Sequence, residues 1–307
     1  MNNSVHGQRR VGILRGGQDD RHDISLREGS ELLTFVLENM YPKWRPLDIY
    51  VDKEGVWHLQ GKPILPSDLM QKVDLVWNSA SPEYTTLLRM LSVPTLGQEA
   101  FMELIKHPVH FSQFAKQADI KTVRRVILPV YQPDIDGIPE AYAAKKAREV
   151  WQKFPAPWVV RSYNTDHNVA ARVAKTFPEL LEAIVALVLR GDSVLVEELI
   201  PGKVVSAHVL PGFRNQSTYQ FPLSALYPLS VDEKKDISHT VNQIVPHINT
   251  SYIRVDMVMH PRTGIHVLGI SFTPDCKEGS HFNETCEHAG VRMSNAFDHL
   301  FESILVV

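Results

Sequence analysis

Apolar positions fall in short runs separated by polar turns, and their period changes along the chain. Val11-Gly-Ile-Leu14 is a continuous apolar run that ends at Arg15-Gly16-Gly17. Beyond it, Leu32, Leu33, Val36 and Leu37 recur at helical spacing. Strand, glycine turn and helix in that order open a parallel α/β unit. Leu47-Asp-Ile-Tyr-Val51 predicts a second strand, Lys53 to Gly61 a hairpin edge alternating around Val56 and Leu59, and Val73-Asp-Leu-Val-Trp77 a third strand. Ser81-Pro82-Glu83 combines a capping hydroxyl, a proline and an early acid, which predicts a helix start.

From Phe101 to Ala118 the pattern is helical, interrupted at Pro108. Val126-Ile-Leu-Pro-Val130 and Trp158-Val-Val-Arg161 read as strands of a second unit, with a helix from Ala141 to Phe154 between them. Phe177 to Leu189 is a strongly apolar helix, and Ser193-Val-Leu-Val-Glu-Glu198 a buried strand with acids at its end. Strands near Val204 to Leu210, Ile253 to Met259 and His266 to Ile270 follow, with a closing helix from about Asn295.

The 307 residues are 44% hydrophobic and 22% charged, an ordinary globular balance that suits two or three packed units. A net charge of -3 makes no electrostatic case for nucleic acid or an anionic membrane as partner. Two cysteines are too few for a disulfide framework, the N-terminus has no apolar leader, and no apolar run approaches the roughly 20 residues of a membrane helix. These features predict a cytoplasmic protein.

Five landmarks occur in one order: Val11-Gly-Ile-Leu-Arg-Gly-Gly17 with Ile24-Ser-Leu26, Pro157-Trp-Val-Val-Arg161, Leu195-Val-Glu-Glu-Leu-Ile-Pro-Gly202, Tyr252-Ile-Arg-Val-Asp256 and Ile270-Ser-Phe-Thr-Pro274. In that order they resemble the D-alanine–D-alanine ligase family of the ATP-grasp superfamily over nearly the whole chain. The resemblance implies an α/β (α+β) ATP-grasp fold. It has a Rossmann-like parallel-sheet domain over residues 1–96, a central lobe over 97–196 and a C-terminal lobe over 197–307, with ATP between two antiparallel sheets. It also implies ATP and Mg2+ as cofactors, a small-molecule substrate resembling an amino acid or dipeptide, and a homodimer.

Carried over residue by residue, the resemblance sets Gly16, Gly17 and His22 at the substrate loop and Ser25 on a family serine, which also reads as a helix cap. The family's ammonium-binding acid becomes Arg21, with Asp19, Asp20 or Asp23 as replacements if the loop shifts. Arg161 stands for one phosphate-binding lysine; Lys106 or His110 is near the other. The phosphate-covering loop is Ser162-Tyr-Asn-Thr-Asp-His-Asn168, without glycine, leaving Thr165, His167 and Asn168 as donors and Asp166 as an opposing charge. Glu197, Glu198 and Ile200 fall on the adenine-binding linker, and Val204 on the ribose-binding acid. Arg254 matches the residue that stabilises the transferred phosphoryl group and Asp256 a magnesium acid; an internal ion pair between them is the alternative. The family's second acid and asparagine become Gly269 and Ser271, and Pro274 and Ser280 match the segment that holds the substrate carboxylate. The substrate-covering lid is shortened between Gly212 and Val231, with Tyr219 and Tyr227 as stand-ins for its lysine–tyrosine pair.

Three functions compete on this reading. The first is an ATP-dependent carboxylate–amine ligase with altered activity, with Arg254, Ser280 and Ser25 as catalytic candidates. The second is a non-catalytic binding or regulatory protein. The third is a zinc site in the Cys276, Glu278, His281, Cys286, His288 segment, whose residue types suit that metal.

Overall fold

The protein is described from a computed structural model covering residues 8–19, 21–97, 105, 107–163, 171–225 and 227–305. The chain forms two compact units: residues 1–106, 204–256 and 269–307 make the first, and 107–203 with 257–268 the second.

In unit 1, β1 (Arg9–Gly16) is the inner strand of a sheet ordered β4-β3-β2-β1-β5-β6. Its neighbours β2 (Trp44–Val51) and β5 (Leu75–Asn78) both run parallel to it, and β6 (Thr95–Gly97) continues the parallel run. A parallel strand covered on both faces has no polar side, which is why Val11 to Leu14 is one unbroken buried run. Strands β3 (Trp57–Leu59) and β4 (Lys62–Ile64) form the expected edge hairpin. Helix α1 (His22–Asn39) buries Ser25, Gly29, Leu32 and Val36 at three- and four-residue intervals. Helix α2 (Pro82–Met90) starts at Ser81 as predicted, but Ser81 makes no side-chain cap. Instead the Asn78 amide, wholly buried, donates to Ser81 O and Thr85 Oγ1, both at 2.8 Å.

Unit 2 holds an antiparallel sheet ordered β7-β10-β8-β9 and the helices that flank it. Helix α3 (Pro108–Gln117) begins at the proline that interrupts the helical pattern, because proline suits the first helical turn and not the interior. Residues 101–104 and Lys106 lie outside the described residues. The strands are β7 (Arg125–Leu128), β8 (Trp158–Ser162), β9 (Arg172–Ala174) and β10 (Val194–Glu198). Helices α4 (Pro139–Lys153) and α5 (Phe177–Val188) pack on the face bearing Leu128, Trp158, Val160, Val194 and Val196. Alternation therefore turns Arg125, Ile127, Val159, Arg161, Leu195 and Glu197 to the other face.

The last sheet is ordered β12-β11-β14-β15, with β13 paired to β11. It comprises β11 (Lys203–Leu210), β12 (Tyr219–Gln220), β13 (Ser224–Ala225), β14 (Ile253–His260) and β15 (Gly264–Ser271). The tip of the β14–β15 hairpin, residues 257–268, belongs to unit 2. There Thr122 bridges Val267, and Val267 N–H donates to Lys121 O at 2.8 Å. Helix α6 (Val231–Ile244) carries a Ser230–Glu233 capping box, α7 (His281–His288) is capped by Ser280, and α8 (Met293–Leu305) starts two residues before the expected Asn295. Phe297 and Phe301 of α8 pack with Trp44 and Trp77 in the main core of unit 1. No helix among the described residues is long and apolar enough to cross a membrane.

Candidate functional site

At the carboxyl end of β1 the chain turns through Gly16 and Gly17, at φ +89° and +114°. A Cβ on Gly16 would stand 2.1 Å from Val51 O, so only glycine fits. Gly16 N–H donates to Ser25 Oγ at 3.0 Å, and His22 Nδ1 lies 2.6 Å from Gly17 O. Ser25 is therefore one turn inside α1, not its cap: the first helical turn is folded back to fasten the glycine turn. Both Ser25 and His22 are buried. Arg21, expected in place of the family's ammonium-binding acid, pairs with Glu28 at 3.6 Å. Asp19 Oδ1 accepts from Arg21 N–H at 3.1 Å, Asp23 is exposed, and Asp20 lies outside the described residues.

Strands β11 and β14 carry a polar strip along one face. Arg254 donates through Nε and Nη2 to Asp256 Oδ2 at 3.1 and 2.8 Å, and Ser206 Oγ donates to Asp256 Oδ1 at 2.5 Å. The internal ion pair forms, and both carboxylate oxygens have protein partners. Two positions along, His208 Nδ1 meets the Tyr252 hydroxyl at 2.7 Å. Burial pushes the His208 imidazole down to about 3, with Arg254 adding to the effect, and burial also raises Tyr252 well above the ordinary phenol range. The pair is therefore neutral at pH 7. Gly269, expected in place of the family's second acid, leaves open space where a side chain would begin, and Ser271 is half-buried.

The face of the unit 2 sheet turned away from α4 and α5 carries a second charged group. Arg161 Nε donates to Glu197 Oε2 at 2.9 Å, and Arg125 Nε lies 2.8 Å from Oε1 without hydrogen-bond alignment. Arg125 also donates through Nη2 to Leu268 O and lies over the Phe111 ring. Burial, partly offset by Glu197 and reinforced by Arg161, lowers the Arg125 guanidinium from its ordinary value. Glu198 takes a fork from Arg124 at 2.8 and 2.6 Å, which holds its carboxyl below the usual range. In the expected adenine linker, Glu198 N–H is used by Arg124 O and Leu199 N–H by Pro157 O; Ile200 follows, half-buried, ahead of the exposed Val204. His110 is exposed on α3 beside His107. Lys106, Thr165, Asp166, His167 and Asn168 lie outside the described residues.

Other candidates have structural duties. Ser280 caps α7, accepting from Asn283 N–H and donating to Asp275 O, both at 3.2 Å. Tyr219 is buried, with its hydroxyl taking Arg214 Nη1 at 3.1 Å, whereas Tyr227 is exposed. Helix α7 turns Cys286 into the core and His281 and His288 outward. Among the described residues, no three His, Cys, Asp or Glu side chains gather where a metal ion could sit.

Sequence reasoning missed Arg125, Ser206 and the His208–Tyr252 pair. A signal existed: Ser206 and His208 alternate in an otherwise apolar strand, and buried polar groups on one face demand partners.

No protein-family profile matches the chain. It is 24% identical over 211 residues to the D-alanine–D-alanine ligase of Aquifex aeolicus (strain VF5), an alignment covering 66% of this chain and 63% of that relative. The D-alanyl-alanine synthetase A of Vibrio cholerae O1 biovar eltor str. N16961 superposes with a TM-score of 0.74 at 16% identity, over 98% of this chain and 99% of the other. The D-alanine–D-alanine ligase of Coxiella burnetii gives 0.70 at 18% identity over 97% and 95%, and that of Bacillus anthracis, complexed with ATP, gives 0.68 at 16% over 97% of each. The chain has the ATP-grasp fold of the D-alanine–D-alanine ligases. It resembles that family in sequence as well, and the glycine turn and the Arg254–Asp256 strand are where the resemblance meets a definite geometry.

Proposed function

We propose that the chain is an ATP-dependent carboxylate–amine ligase of the D-alanine–D-alanine ligase type, with a substrate other than the standard D-alanine pair. The observation that carries this reading is the Arg254–Asp256–Ser206 strip, set on a fold shared with ligases over nearly the full chain. Arg254 spends Nε and one Nη on Asp256, which among the described residues leaves the other Nη to offset charge on a transferring phosphoryl group. Arg161 is tied through Nε to Glu197, and among the described residues its terminal fork is left for a phosphate oxygen. The carboxylate substrate would take the phosphoryl group from ATP, and an amine would then attack the acyl-phosphate and expel phosphate. Arg21, paired with Glu28, replaces the acid that would hold an ammonium, which supports an altered amino-acid- or dipeptide-like substrate. The proposed setting is a homodimer in the cytoplasm.

Magnesium is the poorest match. A two-ion site wants several free hard oxygens. Here both Asp256 oxygens are engaged, Gly269 offers no ligand and Ser271 only a hydroxyl. These residues do not fit the family's metal arrangement.

The same engaged acid favours a second reading, a non-catalytic protein that keeps the fold for binding or regulation. Isothermal titration with ATP and magnesium separates the outcomes. Heat at micromolar to millimolar nucleotide is expected for the ligase, and none at millimolar nucleotide sinks it. Metal-dependent ADP release with any member of an amino-acid and dipeptide panel would overturn the non-catalytic alternative.

A further inference from the structure

Strand β7 is the outermost strand of the unit 2 sheet on one side, and its outer edge is bounded at both ends. Glu198 N–H donates to Arg124 O at 2.9 Å, so these two residues are a hydrogen-bonded pair. By antiparallel alternation Val126 pairs in the same way with Val196, and Leu128 with Val194. The residues between them, Arg125 and Ile127, therefore turn both N–H and C=O away from β10. Upstream the outer edge is already paired: Val267 bridges Thr122 in parallel, and its N–H donates to Lys121 O at 2.8 Å. Downstream the next outward residue is Pro129, which has no N–H and whose carbonyl accepts from the Tyr142 hydroxyl at 2.6 Å. Between these ends Arg125 and Ile127 present two donors and two acceptors, with no strand opposite them among the described residues.

A groove of about 290 Å³ follows this edge. Every residue from Thr122 to Val126 lines it, which a pocket on one sheet face could not achieve, because alternate side chains leave that face. Phe111 of α3 walls one side, beneath the Arg125 guanidinium. Lys153 and Phe154, at the end of α4, wall the other, where Arg124 lies over the Phe154 ring. The two walls differ in chemistry. On the α3 side the one charge, Arg125, is answered by Glu197 at 2.8 Å, and the rest is apolar, with Ile127 on the same face. On the α4 side Arg124 is 50% exposed beside Glu198, and Lys153 is exposed with no acid against it among the described residues. The lining holds three cationic side chains and no acidic one.

We propose that the outer edge of β7 docks an extended peptide segment of another protein in which acidic and apolar residues alternate. Added as a further strand, the segment takes the main-chain groups of Arg125 and Ile127 in a ladder. Its acids lie against Arg124 and Lys153, and its apolar side chains against Phe111 and Ile127. An open edge accepts any strand, and charge is how proteins restrict the choice. The arginines of β7 oppose a second copy of the same strand and favour an acidic one. The inference is independent of the ligase reading, since it uses neither Arg161, Arg254 nor Asp256.

The probe is a capped pentapeptide of alternating glutamate and valine, titrated into the full chain by calorimetry. Binding is expected below about 1 mM peptide, and a lysine–valine peptide of equal length should bind about tenfold more weakly. Lys153→Glu should weaken the acidic peptide about fivefold. Ile127→Pro removes one outward donor at a place where an edge strand tolerates proline, and should weaken it about fivefold or more. Two further peptides carry N-methyl groups, one on its glutamates and the other on its valines. Whichever set of nitrogens faces β7, one of these peptides must lose about tenfold. If Ile127→Pro does not fold, the methylated peptides carry the same prediction on the wild-type chain. No binding at about 1 mM overturns the proposal, as do equal affinities for the acidic and basic peptides, or for the parent and both methylated ones. Sedimentation of the chain alone tests the other occupant: self-association that Ile127→Pro abolishes gives the edge to a second copy and overturns the peptide.

Discussion

His208 has no exposed surface, and its Nδ1 is satisfied by the Tyr252 hydroxyl while Nε2 has no partner among the described residues. Burial holds its folded pKa at about 3, below the ordinary 6.5. Between those values the unfolded chain binds a proton that the folded chain refuses, so stability falls as pH drops from 6.5 toward 3 and is unaffected by this group above 6.5. Thermal melts should therefore show a loss of about 2 kcal/mol between pH 7 and pH 5 from this residue alone, and His208→Gln should flatten that part of the profile. An unchanged slope in the variant would refute the assignment. The cysteines make a second prediction at this scale. Burial pushes both the Cys276 and Cys286 thiols up to about 12, so neither supplies thiolate at pH 8. A chromogenic thiol reagent at pH 8 is expected to react slowly with the native protein and to count two thiols after unfolding; rapid native labelling would show an accessible, activated cysteine. Gly16→Ala would force a side chain against Val51 O at a positive φ, costing about 2–4 kcal/mol in denaturant titration.

Strands and helices were legible where a period repeats and where proline or glycine closes it. The buried run Val11 to Leu14, the apolar stripe of α5 and the hairpin β3–β4 were all readable from alternation and turn chemistry. The interruption read at Pro108 is where α3 starts, because proline's missing donor suits a first helical turn and not an interior. Site geometry was legible only where partners lie on one strand: Arg254 and Asp256, two residues apart, must share a face. Ser206, fifty residues away, becomes an Asp256 partner only through the pairing of β11 with β14, which no local pattern records. That strip yields a test. Gly269 has open space where a Cβ would point, so Gly269→Glu with Ser271→Asn adds an acid and an amide without a steric clash at the backbone. Magnesium affinity, followed by calorimetry, is expected to rise about tenfold or more over wild type. If Asp256 stays locked to Arg254 and Ser206, affinity will not move, and the strip is then an ion pair alone.

At the level of the molecule, unit 2 is discontinuous in sequence. Its sheet and helices come from residues 107–203, but residues 257–268 complete it. The hairpin tip supplies the Val267 bridge to Thr122, the N–H donated to Lys121 O, and the Leu268 carbonyl that accepts from Arg125. Arg125 is nearly buried, and a buried guanidinium that loses a carbonyl acceptor costs about 1.5–3 kcal/mol. A fragment of residues 107–203 should therefore melt lower than the same fragment with residues 257–268 joined by a flexible linker, although its own apolar core of Leu128, Trp158, Ile184 and Val196 is intact in both. Gly202→Ala in the full chain should reproduce part of this loss, because its methyl would stand 2.2 Å from Met259 O, at the point where the chain passes the tip. Circular dichroism melts of the two fragments and of the variant decide the matter. Equal stability of the fragments would mean that the tip is decoration on a unit already complete, and the Arg125–Glu197–Arg161 group would then have to hold its geometry without the Leu268 acceptor.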